Sequence, residues 1–339
     1  MGKKATTKAA SGPVFTGALL EDKAAPKAVK SFSSNVTRST INRNPWLSAL
    51  VNPFDSEAVQ LPDEYAGGSI PLKLIEDIDM VVDANGYAMT AVAALLVTQL
   101  RSAATLDANG AVLTLSAFSD HPDYADCLVQ FGSMRTLLYG IEVISTLSDN
   151  ENQGRICAVT STSASAYLAV ASTVRSCFDD AANPLPLKEG LMVVLRPTQP
   201  PRFTATNDNS QGQHTLPATT IAITGAKPGS RVSLRIVKFM EALPTKNSLH
   251  RSSVTVEPYD LFTMSAAANM ALHEPAVHPN TSAGHRAMKE EGESLAEDAV
   301  KFLASSLTSL GILPPGVASV GVAAYDAVKR SISKRKMRH

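Results

Sequence analysis

The run FGSMRTLLYGIEVISTLSDNENQGRICAV, residues 131–159, leaves this chain the least freedom. From Arg135 to Leu147 the odd positions carry Leu137, Tyr139, Ile141, Val143 and Leu147, a period close to two that suits a strand with one face in a core. The even positions are mixed. Ser148 to Gln153 is a polar, Asp/Asn-rich turn, and Gly154 to Val159 opens a second strand. The unit reads as two antiparallel strands that need a larger sheet around them, because a lone hairpin is marginal in water.

The flanking sequence supplies such a sheet. Leu72, Leu74, Ile78, Met80 and Val82 share one face of a strand over 70–82, with Glu76 the exception and Lys73, Asp77 and Asp79 on the other face. Asp83-Ala-Asn-Gly86 turns the chain, and Tyr87 to Val97 returns as the next strand, although its Ala and Leu content also suits a helix. A second Asp-Ala-Asn-Gly at 107–110 precedes a short strand at Val112–Leu115, and residues 121–130 form a helical turn. Residues 161–180 fit neither period. Leu187–Pro197 reads as a buried strand, 198–217 as an exposed polar loop, and Thr219–Thr224 with Val232–Leu243 as a hairpin across Gly225–Gly229. Short strands joined by turns, with few helical patterns between them, indicate an all-β sandwich.

The zero formal charge of the 339 residues hides a strong asymmetry. Residues 1–44 hold Lys3, Lys4, Lys8, Lys23, Lys27, Lys30, Arg38 and Arg43 against Glu21 and Asp22, a net +6. Residues 325–339 hold Lys329, Arg330, Lys334, Arg335, Lys336 and Arg338 against Asp326, a net +5, which leaves −11 for the middle. An acidic body with two basic ends suits a protein whose ends touch a polyanion while its body does not. The first 44 residues have few large apolar side chains and read as a mostly disordered arm.

Three groups of residues resemble the coat proteins of small icosahedral RNA viruses, and of nodaviruses in particular. Phe131-x-x-x-Arg135 followed by QGRICA is similar to their fourth-to-fifth strand corner; Asn52-Pro-Phe-Asp55 with Leu61-Pro-Asp63 to the segment before their first strand; and 230–261, with Glu241 and Pro244 closing a long strand, to their last one. The segment 296–328 resembles their membrane-active C-terminal peptide. The resemblance implies an eight-stranded antiparallel jelly-roll sandwich over 45–265, with the arm at 1–44 and a C-terminal region at 266–339 that carries an amphipathic helix at 289–310. It also implies self-assembly into an icosahedral shell, packaging of single-stranded RNA, location in the virion and in the host cytoplasm before assembly, and an encounter with a host receptor, for which 198–217 is the candidate surface. Calcium at subunit contacts is a further expectation, with no ligands named.

The C-terminal helix can also be read on its own chemistry. Leu295, Ala299, Phe302, Leu303, Leu307 and Leu310 recur at helical spacing, and Gly311 is placed to end the helix. Such a stripe either docks under the β domain or inserts into a membrane interface, and it can do both at different stages. Nodavirus coat proteins cut their own chain at an Asn with the help of an Asp. By position Asn280-Thr281 corresponds to the junction, with Asn269-Met270 as a second candidate, and Asp55 to the acid. Cyclisation of the Asn side chain onto its own carbonyl needs a carboxyl group that moves protons. The alternatives are a loop Asn and a capping Asp.

Other functions find less support. No Gly-x-Ser-x-Gly, phosphate-cradling Gly loop or metal-spaced His pair accompanies the seven histidines, so no multiple-turnover enzyme is expected. A cellular RNA-binding β-sandwich would share the basic ends, but aromatic residues are only 5% and form no stacking cluster. No apolar run approaches the ~20 residues of a membrane span, the N-terminal MGKKATTKAASG lacks the apolar core of a secretion signal, and three cysteines without ligand spacing read as buried or idle thiols.

Overall fold

The computed structural model describes residues 44–309, except 64, 66, 93–98, 117–118, 121–123, 146, 148–151, 162–172, 198–200, 206–217 and 274. In chain order the elements are α1 (Pro45–Val51), β1 (Ile70–Val81), β2 (Ala88–Val92), β3 (Gln99–Leu106), β4 (Val112–Leu115), β5 (Ser119–Asp120), α2 (Tyr124–Gln130), β6 (Phe131–Ile144) and β7 (Arg155–Ser161). They continue as α3 (Val174–Asp180), β8 (Leu185–Pro186), β9 (Leu191–Leu195), β10 (Thr204–Ala205), β11 (Ala218–Thr224), β12 (Arg231–Pro244), α4 (Leu261–Met270), β13 (Val277–His278) and α5 (Ser282–Ser309).

Two antiparallel sheets face each other. One has the order β1-β12-β6-β9-β13, and the other β4-β3-β2-β11-β7-β8. Between them lie Ile141, Val143, Leu191, Val193, Ile221, Ile223, Leu234 and Ile236, all buried. Each such side chain contributes about 1.5–3 kcal/mol of burial, so this shared face holds the sandwich together.

The strand over 131–144 behaves as the alternation predicts on one face only. Its other face is buried too, under a third layer made of α1, α4 and α5, where Leu137, Leu138, Val237 and Phe239 meet Trp46, Leu50, Ala266 and Ala296. A register shift opposite Phe239–Met240 leaves Leu137 unpaired, a bulge that sets Leu137 and Leu138 both in this cluster. Gly140 is part of the same design, since a Cβ there would lie 2.9 Å from Pro53 and from Phe54. The mixed even positions are therefore those that receive the helical layer.

Two pairings expected from the turns are corrected. β6 and β7 do not pair with each other, nor do β11 and β12; in each case the two strands belong to opposite sheets, as do β1 and β2. The Asp83 turn does reverse the chain: the Asp83 carboxylate accepts from the N–H groups of Asn85 and Tyr87 at 2.8 Å. A reversal does not specify the partner, however. Alternating strands that share one core can stack across it as readily as they can hydrogen-bond side by side. The ambiguous tract resolves at its C-terminal end into α3, opened by a capping box of Thr173 and Ser176, while 162–172 and most of the loop 198–217 lie outside the described residues.

Candidate functional site

The segments that carry the viral resemblance converge on one buried ion cluster. Arg135 on β6 and Glu241 on β12 are cross-strand partners, and Arg135 donates through Nε and Nη2 to Glu241 Oε2 at 2.9 and 2.6 Å. Its remaining donors reach Asp63, through Nη1 to Oδ2 and Nη2 to Oδ1, and the Pro201 carbonyl at 3.3 Å. Glu241 Oε1 accepts from the Leu61 N–H. The ring of Phe203 lies 4.4 Å from the guanidinium carbon and that of Tyr65 5.9 Å. Burial works against the Arg135 charge, but Asp63 and Glu241 outweigh it and hold its pKa above the ordinary arginine value. Burial raises the Glu241 carboxyl, with Arg135 opposing. The cluster fastens the 52–63 strap across the sheet.

Asp55 and Asn280 lie elsewhere, each with its own partners. Asp55 is exposed on the strap and accepts from Asn52 Nδ2 at 2.7 Å. Beside it Lys73 donates to the carbonyls of Phe54 and Ser56 at 3.1 and 2.6 Å; burial lowers the Lys73 pKa and Asp55 opposes the shift. Asn280 precedes α5, donates through Nδ2 to the Val143 carbonyl at 3.2 Å and lies 3.0 Å from His285 Nε2 through Oδ1. Thr281 caps α5, its hydroxyl accepting from the Gly284 N–H at 3.1 Å. Lys73 pairs with Phe239, and Phe239 with Leu138, five residues along β6 from Val143. The partners of Asp55 lie on the strap and β1, and those of Asn280 on β6 and α5. Asn269 lies within α4, its amide donating to the Ser265 carbonyl at 2.9 Å.

Sequence reading did not find what surrounds Asn280. Glu142 lies 3.8 Å from both His285 and Arg235, and Arg235 bonds Asp77 at 2.7 Å. His278 contacts Glu291 at 2.8 Å, and buried Arg196 donates to the Leu50 carbonyl at 3.0 Å. These polar contacts fasten α5 and α1 to the sheet. The charges on β1 and β12 were visible, but their cross-strand register was not.

The amphipathic helix begins earlier than expected and spans Ser282–Ser309. Ala296 and Ala299 are buried, Leu295 packs against the same cluster, and Phe302 is 58% exposed. Leu303 and Leu307 are helical, while Leu310 lies outside the described residues. α5 runs antiparallel to α1 and the strap: Met288 clusters with Phe54, and Gly292 lies against Val51. This places Asn44, where the N-terminal segment joins, at the same end of the layer as the C-terminal half of α5. The Asn44 side chain caps α1 by accepting from the Leu47 N–H at 3.0 Å and donates to Thr263 Oγ1 of α4 at 2.7 Å. All fourteen basic residues of the two ends lie outside the described residues.

Among the described residues no helix is long and apolar enough to cross a membrane, and no group of three His, Cys, Asp or Glu side chains could hold a metal ion. Cys127, Cys157 and Cys177 are buried and form no disulfide, and burial pushes the Cys157 and Cys177 thiols up to about 12. Lys238, in the middle of β12, is 2% exposed, and burial lowers its pKa to about 7, with Cys127 opposing.

This double-sheet sandwich is shared with structures of icosahedral virus particles. The chain is similar to the protein in the crystal structure of the T13 particle of infectious bursal disease virus, with a TM-score of 0.56 and 11% identity over 80% of this chain and 99% of that one. It is also similar to the same virus's Gt strain (0.55, 11%, 73% and 100%) and to its VP2 subviral particle (0.53, 11%, 73% and 99%). At these identities the likeness is one of fold. No family model matches the sequence, and no curated protein matches it.

Proposed function

We propose that the chain is a viral coat protein that assembles into a closed icosahedral shell around single-stranded RNA. The observation that carries this is the strand order, β1-β12-β6-β9 against β2-β11-β7-β8, which we read as that of an eight-stranded jelly roll, a fold that leaves wedge faces and edges for symmetric copies. The shared fold with virus particles supports it. So does the junction of the N-terminal basic segment with the helical layer, at the end toward which α5 runs. Basic side chains there neutralise phosphates without reading bases, so RNA retention falls steeply as salt rises. The nodavirus character rests on the sequence motifs.

Two finer readings belong to the same proposal. Released from the sheet, α5 and the apolar run after it disrupt host membrane during entry. Cleavage at Asn280–Thr281 frees them; a variant Asn280→Ala that still yields the fragment 281–339 overturns that site. The assembly reading is tested by expressing the full chain and imaging it by negative-stain electron microscopy. Uniform spherical particles carrying nucleic acid are expected. Soluble monomers across a range of salt and added RNA overturn it and favour a cellular RNA-binding sandwich.

A further inference from the structure

An apolar patch built by two charged elements stands at the end of the sandwich where β6 begins and β12 ends. Val129, at the end of α2, is 68% exposed, and Leu249, in the 3-10 turn Leu249–Ser253, is 83% exposed. The two elements that carry them are tied together. Gln130 Oε1 accepts from the Leu249 N–H at 3.0 Å, the Gln130 carbonyl accepts from the Thr245 N–H at 2.9 Å, and Thr245 Oγ1 donates to the Val129 carbonyl at 3.2 Å. The ring of His250 stacks on Phe131 at 5.8 Å, and Arg251 donates to the Lys246 carbonyl at 3.1 Å. Leu128, 37% exposed, adjoins the patch. The apolar tips are held out on a hydrogen-bonded frame.

The charges are segregated by element. Asp126 is exposed on α2, while Lys246 and Arg251 are exposed on the segment that carries Leu249. We propose that this patch is a two-fold contact between copies of this chain, in which Val129 and Leu249 meet their counterparts and Asp126 of each copy faces Lys246 and Arg251 of the other. In an isologous contact residue i meets j and j meets i, so a patch with acid on one of its elements and base on the other can be complementary to itself. The contact rests on the shell reading for its biological use. Burying the apolar tips supplies the attraction, and the flanking charges set the orientation.

Self-association of the full chain is measured by sedimentation, and particles by electron microscopy. Leu249→Glu is expected to weaken association at least tenfold with an unchanged urea midpoint, because the side chain is solvent-facing. Asp126→Lys and Arg251→Glu each weaken it alone, and an equimolar mixture of the two chains recovers it. Leu249→Glu that assembles like the wild type, or a mixture no better than its components, overturns the contact. The two readings separate cleanly: particles unaffected by these variants sink the contact and leave the shell reading standing. Wild-type dimers sensitive to them, without particles, do the reverse. A wild type that stays monomeric at every concentration overturns the contact as well.

Discussion

Lys238 stands where the apolar run Ile236-Val237-Lys238-Phe239-Met240 offers the sequence reader only a break in a strand pattern. Its burial was hidden because both faces of β12 are covered, one by the second sheet and one by the helices. With its pKa lowered from 10.5 to about 7, the unfolded chain binds a proton between those values that the folded chain does not. Stability therefore rises with pH across that window and is lowest below pH 7. Lys238→Met should raise stability by about 3–5 kcal/mol below pH 7, with the gain vanishing toward pH 10.5. Urea unfolding at pH 6 and pH 10 checks this, and an equal gain at both contradicts it. Arg135 gives the opposite expectation. Arg135→Met leaves Glu241 and Asp63 without their cation and should cost about 3–5 kcal/mol, read from the same urea titration. Arg135, Glu241 and Asp63 each stood in a motif that the sequence displayed, but their union needed the cross-strand register.

The strands themselves were legible element by element, since β1, β4, β6, β7, β9, β11 and β12 fall within a few residues of the periodic runs that announced them. Their pairing was not, because Asp83-Ala-Asn-Gly86 and Gly225–Gly229 encode a reversal and nothing about which sheet receives the returning strand. The helical layer was half legible: the stripe on α5 was visible, whereas its site on the sheet depends on small residues such as Gly140 and Gly292, whose role is to leave room. At Gly292 a Cβ would sit 3.0 Å from Val51 Cα. Gly292→Leu should therefore lift α5 from α1 at a cost of about 1–3 kcal/mol. Hydrogen exchange should then lose protection across α5 while β6 and β12 keep theirs; unchanged protection in α5 would show that the close approach is dispensable.

For the whole molecule, the charge asymmetry was the feature that sequence displayed most openly, and the fold gives it a direction. The N-terminal basic segment joins at Asn44, at the end of the helical layer toward which the C-terminal half of α5 runs. The acidic sandwich lies beyond, so a shell of such chains would turn the helices toward its contents. Raising salt from 50 to 200 mM should strip a free chain from RNA by a factor on the order of 1,000 if six or more phosphates are neutralised, and deleting residues 1–43 should flatten that dependence; a filter-binding titration that finds no change denies the arm its role. The most direct measurement of the whole account is a cryo-electron microscopy map of the particles formed by the full chain. The account predicts a closed icosahedral shell with α1, α4 and α5 on its inner surface against nucleic-acid density. Particles with the helical layer facing outward, or a preparation holding only monomers, would contradict it.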